Sequence, residues 1–125
     1  MASPLLLCVD DWPQLLHIRK AALESFGYSV ATASNQHAAI KIMEEMPVDV
    51  VLLEYKTEGM DAQAVAFHIK RRFPAVPIIL LSACAEMPEA ILWLVDEYVL
   101  KSERMEELAR AVERVMQSAK SRKFG

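Results

Sequence analysis

The chain has 125 residues, 54% of them hydrophobic and 25% charged, with a formal net charge of -3. Those values describe one globular domain with room for a real core, and the acidic balance argues against a nucleic-acid-binding surface. Three glycines leave little for a phosphate-cradling loop, no apolar run approaches membrane-spanning length, and Met1-Ala2-Ser3-Pro4 has no basic leader, so a cytoplasmic protein with no membrane contact is expected.

Leu5-Leu6-Leu7-Cys8-Val9 has the continuous apolar pattern of a strand buried on both faces, and it ends in Asp10 and Asp11. Pro13 suits the first turn of a helix, and Leu15, Ile18, Ala22 and Phe26 recur at helical spacing as its expected core face. Gly27 is a natural stop. Tyr28 to Ala33 is a short strand, and Ser34 or Asn35 can cap a second helix with Ala39, Ile42 and Met46 inward. Pro47 ends that helix. Val48 to Leu53 is the central strand and closes on Glu54, followed by a polar loop through Gly59 to Asp61.

Asp61 is a plausible cap for a third helix over about 62–73, with Val65 and Ile69 inward and Pro74 as its stop. Val76 to Leu81 is a fourth strand ending in Ser82. Pro88 can open a short fourth helix holding Ala90, Ile91, Leu94 and Val95. Tyr98 to Leu100 is a fifth strand ending in Lys101. Ser102 can cap the last helix, whose Met105, Leu108, Val112 and Val115 form one stripe. The domain is expected to span 1–118, with 119–125 a basic flexible tail. Cys8 and Cys84 have no metal-ligand spacing and read as free thiols of a reducing compartment. His17, His37 and His68 fall on three different helices and read as surface residues. Trp12 reads as a partly exposed ring, and Trp93 as packing the fourth helix against a neighbour or a partner.

Strands alternating with helices five times predict an α/β fold: a doubly wound, five-stranded parallel sheet of the flavodoxin-like (βα)5 type, in the order 2-1-3-4-5. In that order the first and third strands flank the switch point. Asp10, Asp11 and Glu54 then meet at one crevice, and Ser82 and Lys101 lie at the neighbouring strand ends.

Three carboxylates, a hydroxyl and an ammonium at one rim resemble the receiver domain of two-component response regulators, from about Leu5 to Met116. The resemblance implies that Asp10 and Asp11 hold Mg²⁺, with Glu54 and the Lys56 carbonyl as further ligands. Glu54 stands at the position of the aspartate that accepts a phosphoryl group from a histidine kinase. Ser82 and Lys101 match the groups that bind the phosphoryl oxygens, and Tyr98 matches the aromatic switch. Mg²⁺ takes hard oxygens and keeps several waters, which suits such a set. The transferred group's charge calls for a metal ion and an ammonium.

The departures from that pattern are specific. Glu54 replaces the acceptor Asp, and its extra methylene moves the carboxylate roughly 1.5 Å. A misplacement of about 1 Å can cost on the order of 10²-fold in a positioned reaction. The loop 57–62 lacks the family's proline, and Ser102 stands where a proline with a cis bond usually follows the lysine. The segment from Ser82 to Lys101 is short, so a short or shifted fourth helix is expected. Glu54 has three readings: it imitates a phosphoaspartate, it pairs with Lys101 and locks one state, or it accepts phosphate poorly. The function expected is a divergent, pseudo-receiver signalling module acting by protein–protein contact. Its partner would be a histidine kinase or another signalling protein, or a second copy docked through the face of the fourth helix, fifth strand and fifth helix. The alternatives are a phosphorylation-competent receiver and a flavodoxin-like small-molecule binder.

Overall fold

A computed structural model of the chain describes residues 3–83, 86–101 and 105–124, with side chains through Ala119. Five strands alternate with five helices: β1 (Leu5–Val9), α1 (Pro13–Glu24), β2 (Ser29–Ala33), α2 (Gln36–Glu45), β3 (Val50–Glu54), α3 (Ala62–Arg72), β4 (Ile78–Ser82), α4 (Glu89–Leu92), β5 (Glu97–Leu100) and α5 (Met105–Phe124). All strand pairs are parallel, and the sheet order is β2-β1-β3-β4-β5, as the alternation predicts.

The strand period of two divides the core into two layers. Leu7, Val9, Val51, Leu53, Ile78 and Leu80 face one way and meet α2, α3 and Ile91 of α4. Leu6, Cys8, Val50, Leu52, Ile79 and Leu81 face the other way and meet Leu16 and Leu23 of α1 with Leu108, Val112 and Val115 of α5. Every residue of β3 and β4 is buried, because helices cover both faces.

Two aspartates that the sequence reading passed over set the strand starts. Asp49 Oδ2 accepts from the Leu5 amide at 2.8 Å, and the Asp49 amide donates to the Leu5 carbonyl, also at 2.8 Å, which fixes β1 against β3. Asp96 Oδ2 accepts from Lys70 Nζ at 2.6 Å and from the Ile78 amide at 2.8 Å, which ties α3 to the start of β4. Helix entries follow the predicted chemistry. Pro13 opens α1, and the Asn35 and Asp61 side chains accept from the Ala38 and Ala64 amides. Gly27 takes φ +95° in the turn after α1, a region costly for any other residue.

Four expectations change. The buried face of α1 is Leu16, Arg19 and Leu23, whereas Ile18 and Phe26 are 63% and 45% exposed. In α2 it is Met43, four residues after Ala39, that turns inward, and Met46 caps the end exposed. Helix α4 spans only Glu89–Leu92, so Leu94 and Val95 fall outside it, although both pack partly buried against the core beside the fully buried Ile91, and Trp93 is 81% exposed within the chain. The backbone of α5 stays helical to Phe124, through most of the stretch read as a tail. Ala119, Lys120, Arg122 and Lys123 are helix formers, and nothing in that stretch breaks the ladder. Cys84, the Ser102 cap and the Lys101–Ser102 bond lie outside the described residues.

Cys8 is fully buried in β1, and burial pushes its thiol up to about 12. In a Cys84→Ser background the native protein should show no fast-reacting thiol toward a disulfide reagent at mildly alkaline pH. One thiol should appear in step with unfolding by urea, followed by absorbance; rapid labelling of the native protein would contradict the buried placement.

Candidate functional site

The strand register assembles the site. Val9 pairs with Leu53, so Asp10 and Glu54 are the next residues of two neighbouring strands. The Tyr55 amide donates to the Leu81 carbonyl at 2.8 Å, and the Lys101 amide donates to the Ser82 carbonyl at 2.7 Å. Asp10, Glu54, Ser82 and Lys101 thereby form one row along the carboxyl edge of the sheet, with the switch point between β1 and β3.

Burial makes that row electrostatically demanding. Asp10 and Glu54 are each 2% exposed, and Ser82 is fully buried. Carboxylates taken out of water need cations and hydrogen bonds nearby. Lys101 Nζ lies 3.1 Å from Glu54 Oε2. The second cation is Arg19 of α1, which the sequence reading did not single out. Arg19 is 8% exposed, and its guanidinium stands between the carboxylates, with Nη1 3.6 Å from Asp10 Oδ2 and Nη2 3.9 Å from Glu54 Oε2. Its position carried a signal. Arg19 is three residues after Leu16 and four before Leu23, a charged residue on a helical stripe with two leucines.

The remaining candidates are placed as follows. Asp10 Oδ1 accepts from the Trp12 amide at 3.0 Å and so shapes the entry to α1. Asp11 turns to the loop after β3, where its Oδ2 accepts from the Gly59 amide at 2.6 Å. A Cβ at Gly59 would stand 3.4 Å from that oxygen, so the small residue allows the close approach. Lys56 lies two residues beyond Glu54 in the same loop, exposed. Tyr98 is half-buried in β5, opposite Leu80, against the layer that holds α2 and α3. Trp12 is 55% exposed beside the site, and the three histidines are exposed on their helices.

The Mg²⁺ ligand set implied by the resemblance is not assembled in this arrangement. Among the described residues, no three His, Cys, Asp or Glu side chains stand together as a metal-binding group. Asp10 and Glu54 face cations of the chain itself, and Asp11 is engaged by a backbone amide. The donor types suit a hard cation, but Arg19 and Lys101 already stand against Asp10 and Glu54, so the set does not fit one without displacing them.

Comparison with known proteins decides the family. A model of the response regulator receiver domain matches residues 6–113. The chain belongs to the response regulator receiver domain family. This receiver domain is 34% identical over 86 residues to the transcriptional regulatory protein GlrR of Escherichia coli (strain K12), a match covering 69% of this chain and 19% of that protein. It is 29% identical to the probable transcriptional regulator ycf27 of Cyanidium caldarium, covering 94% of this chain and 48% of that one. The chain therefore spans from about a fifth to a half of these relatives. The response regulator TrrA of Thermotoga maritima, solved in complex with Mg²⁺ and BeF, superposes with a TM-score of 0.82 at 32% identity, over 90% of this chain and 98% of that one. The receiver domain of two-component systems thus stands over the small-molecule binder as the account of this fold. No described helix is long and apolar enough to cross a membrane.

Burial pushes the Glu54 carboxyl above the usual glutamate range, and Asp10 adds to that rise, while the charges of Lys101 and Arg19 pull it back without cancelling it. Because the folded state holds this proton more tightly than the unfolded state, native stability falls as pH rises from the ordinary glutamate value through the raised one. Urea unfolding across that window should show this slope in the wild type and not in Glu54→Gln. Arg19→Met should cost about 3–5 kcal/mol in metal-free buffer, because it leaves buried carboxylates short of a counter-charge. A loss below about 1 kcal/mol, the scale of an exposed pair, would mean the guanidinium is not holding the site.

Proposed function

We propose that this receiver domain is a divergent signalling module in which Glu54 occupies the phosphoacceptor position and holds the domain in one state. The observation that carries the reading is the Glu54–Lys101 ion pair at 3.1 Å, formed by a carboxylate that is 2% exposed. In the family pattern the lysine binds the oxygens of the transferred phosphoryl group. Here the longer glutamate side chain reaches the ammonium unaided. One carboxylate charge stands in for the roughly two of a phosphoryl group, so the imitation is partial. Ser82 completes the row on this reading, and Tyr98 is the residue whose rotamer would report the state.

Output is then contact with another protein. The partner proposed is a histidine kinase or another signalling protein, met in the cytoplasm, with no nucleic acid bound by this domain. The surface of α4, β5 and α5 carries Trp93 and Leu92, at 81% and 42% exposure, and is also the face through which two copies would pair. Sensor histidine kinase GacS of Pseudomonas protegens contains a stretch 30% identical to this chain, which supports placing the domain in such a system. Phosphorylation of this chain remains the competing reading, supported by the likeness to TrrA in its complex with Mg²⁺ and BeF.

Intact-mass spectrometry after incubation with Mg²⁺ and acetyl phosphate separates the two. The wild type and Glu54→Gln should gain no phosphoryl group. Glu54→Asp is run alone and combined with Arg19→Met, and the combined variant should gain one. A gain in the wild type that is lost in Glu54→Gln would make Glu54 a working acceptor and end the fixed-state reading. No gain in either Asp variant would remove phosphoryl chemistry from this pocket altogether.

A further inference from the structure

We propose that Arg19 is a built-in counter-cation of the strand-end pocket, standing in for a divalent metal ion among Asp10, Asp11 and Glu54. The inference rests on the receiver-type reading of the pocket and adds a positioning residue, carried by α1, that makes the pocket independent of metal.

Three features carry it. The first is location: the guanidinium lies 3.6 Å from Asp10 and 3.9 Å from Glu54, between the ends of β1 and β3 where the sheet reverses its order. The second is burial. Arg19 is 8% exposed, and neither its Nη1 nor Asp10 Oδ2 has a hydrogen-bond partner among the described residues, so charge attraction is what balances them. An apolar side chain on the Leu16–Leu23 stripe would bury without that desolvation cost, so the guanidinium is explained by the carboxylates it faces. The third is charge. Two buried carboxylates, Asp10 and Glu54, already face two cations, Arg19 and Lys101, and Asp11 Oδ2 is taken by the Gly59 amide.

A divalent ion entering this set would add two positive charges beside the Arg19 guanidinium. In a poorly hydrated pocket that repulsion is large. Binding would require Arg19 to withdraw and break both of its ion pairs. The permanent charge of Arg19 also means that the pocket's balance does not vary with the supply of Mg²⁺.

The test is a Mg²⁺ titration of the ¹⁵N-labelled chain, read at the amides of Trp12 and Gly59, which donate to Asp10 and Asp11. The wild type should show no saturable shift. Arg19→Met should bind Mg²⁺ about tenfold or more tightly than the wild type, since a neighbouring positive charge has been removed. Arg19→Lys, which keeps the charge, should stay as silent as the wild type. Thermal unfolding covers a weakened fold: Mg²⁺ should leave the Tm of the wild type unchanged and raise that of Arg19→Met. Saturable binding by the wild type as tight as that of Arg19→Met overturns the proposal. So does an Arg19→Met variant that neither binds Mg²⁺ nor is stabilised by it. Metal binding by the wild type would leave the receiver-type reading of the pocket standing, because that reading is tested separately by phosphoryl uptake in the Glu54→Asp variants.

Discussion

The structure depends on keeping two carboxylates out of water at the ends of neighbouring strands. Parallel strands run about 4.8 Å apart, so once Val9 and Leu53 are paired, Asp10 and Glu54 are brought together whatever their charges prefer. At 2% exposure each, they cannot be left to solvent. The two cations that answer them come from opposite ends of the topology, Arg19 on the first helix and Lys101 after the last strand. The pocket is therefore a clamp on the fold as well as a site. It joins α1, through Arg19, and the end of β5, through Lys101, to the central strands.

That dependence explains which parts of the molecule could be read from the sequence. The strands are continuous apolar runs bounded by prolines and carboxylates, and the alternation with helices leaves few topologies. The sheet order and the row of strand-end residues followed directly. Helix α1 did not follow, because it carries two stripes at helical spacing. Leu15, Ile18, Ala22 and Phe26 form the purely apolar one, whereas Leu16, Arg19 and Leu23 include a charge. Periodicity favours the first, yet the second is buried. The choice is made by a long-range requirement, the counter-charge for Asp10 and Glu54, which no local pattern contains. Asp96 was illegible for the same reason: its partners, Lys70 and the Ile78 amide, lie 26 and 18 residues away.

The short α4 shows the opposite limit. The sequence predicted a short or shifted helix from the short segment between Ser82 and Lys101, and among the described residues of that segment only Glu89–Leu92 is helical. A single turn offers one inward position, taken by Ile91; Leu94 and Val95 pack against the core from beyond the helix, and Leu92 and Trp93 are left exposed. Trp93 consequently projects from the chain at the face proposed for protein contact. The short segment between Ser82 and Lys101 thus shapes the surface, while the last residues of β4 and β5 pair, Ser82 with Leu100.

Glu54 and Arg19 are best understood together. The Glu54 side chain reaches Lys101, and a guanidinium from α1 stands against Asp10 and Glu54 as the second cation. The magnitudes bear on what a signal would have to do. Removing one partner from a buried ion pair costs about 3–5 kcal/mol. Inverting a two-state population from 1:99 to 99:1 takes about 5.5 kcal/mol. An event that separated Glu54 from both cations would thus act against a free energy comparable to a whole conformational switch. On the fixed-state reading proposed above, Lys101 is already paired with Glu54, so a change of state would be driven from the outer surface, by a partner that binds the second state about 10⁴-fold more tightly than the first.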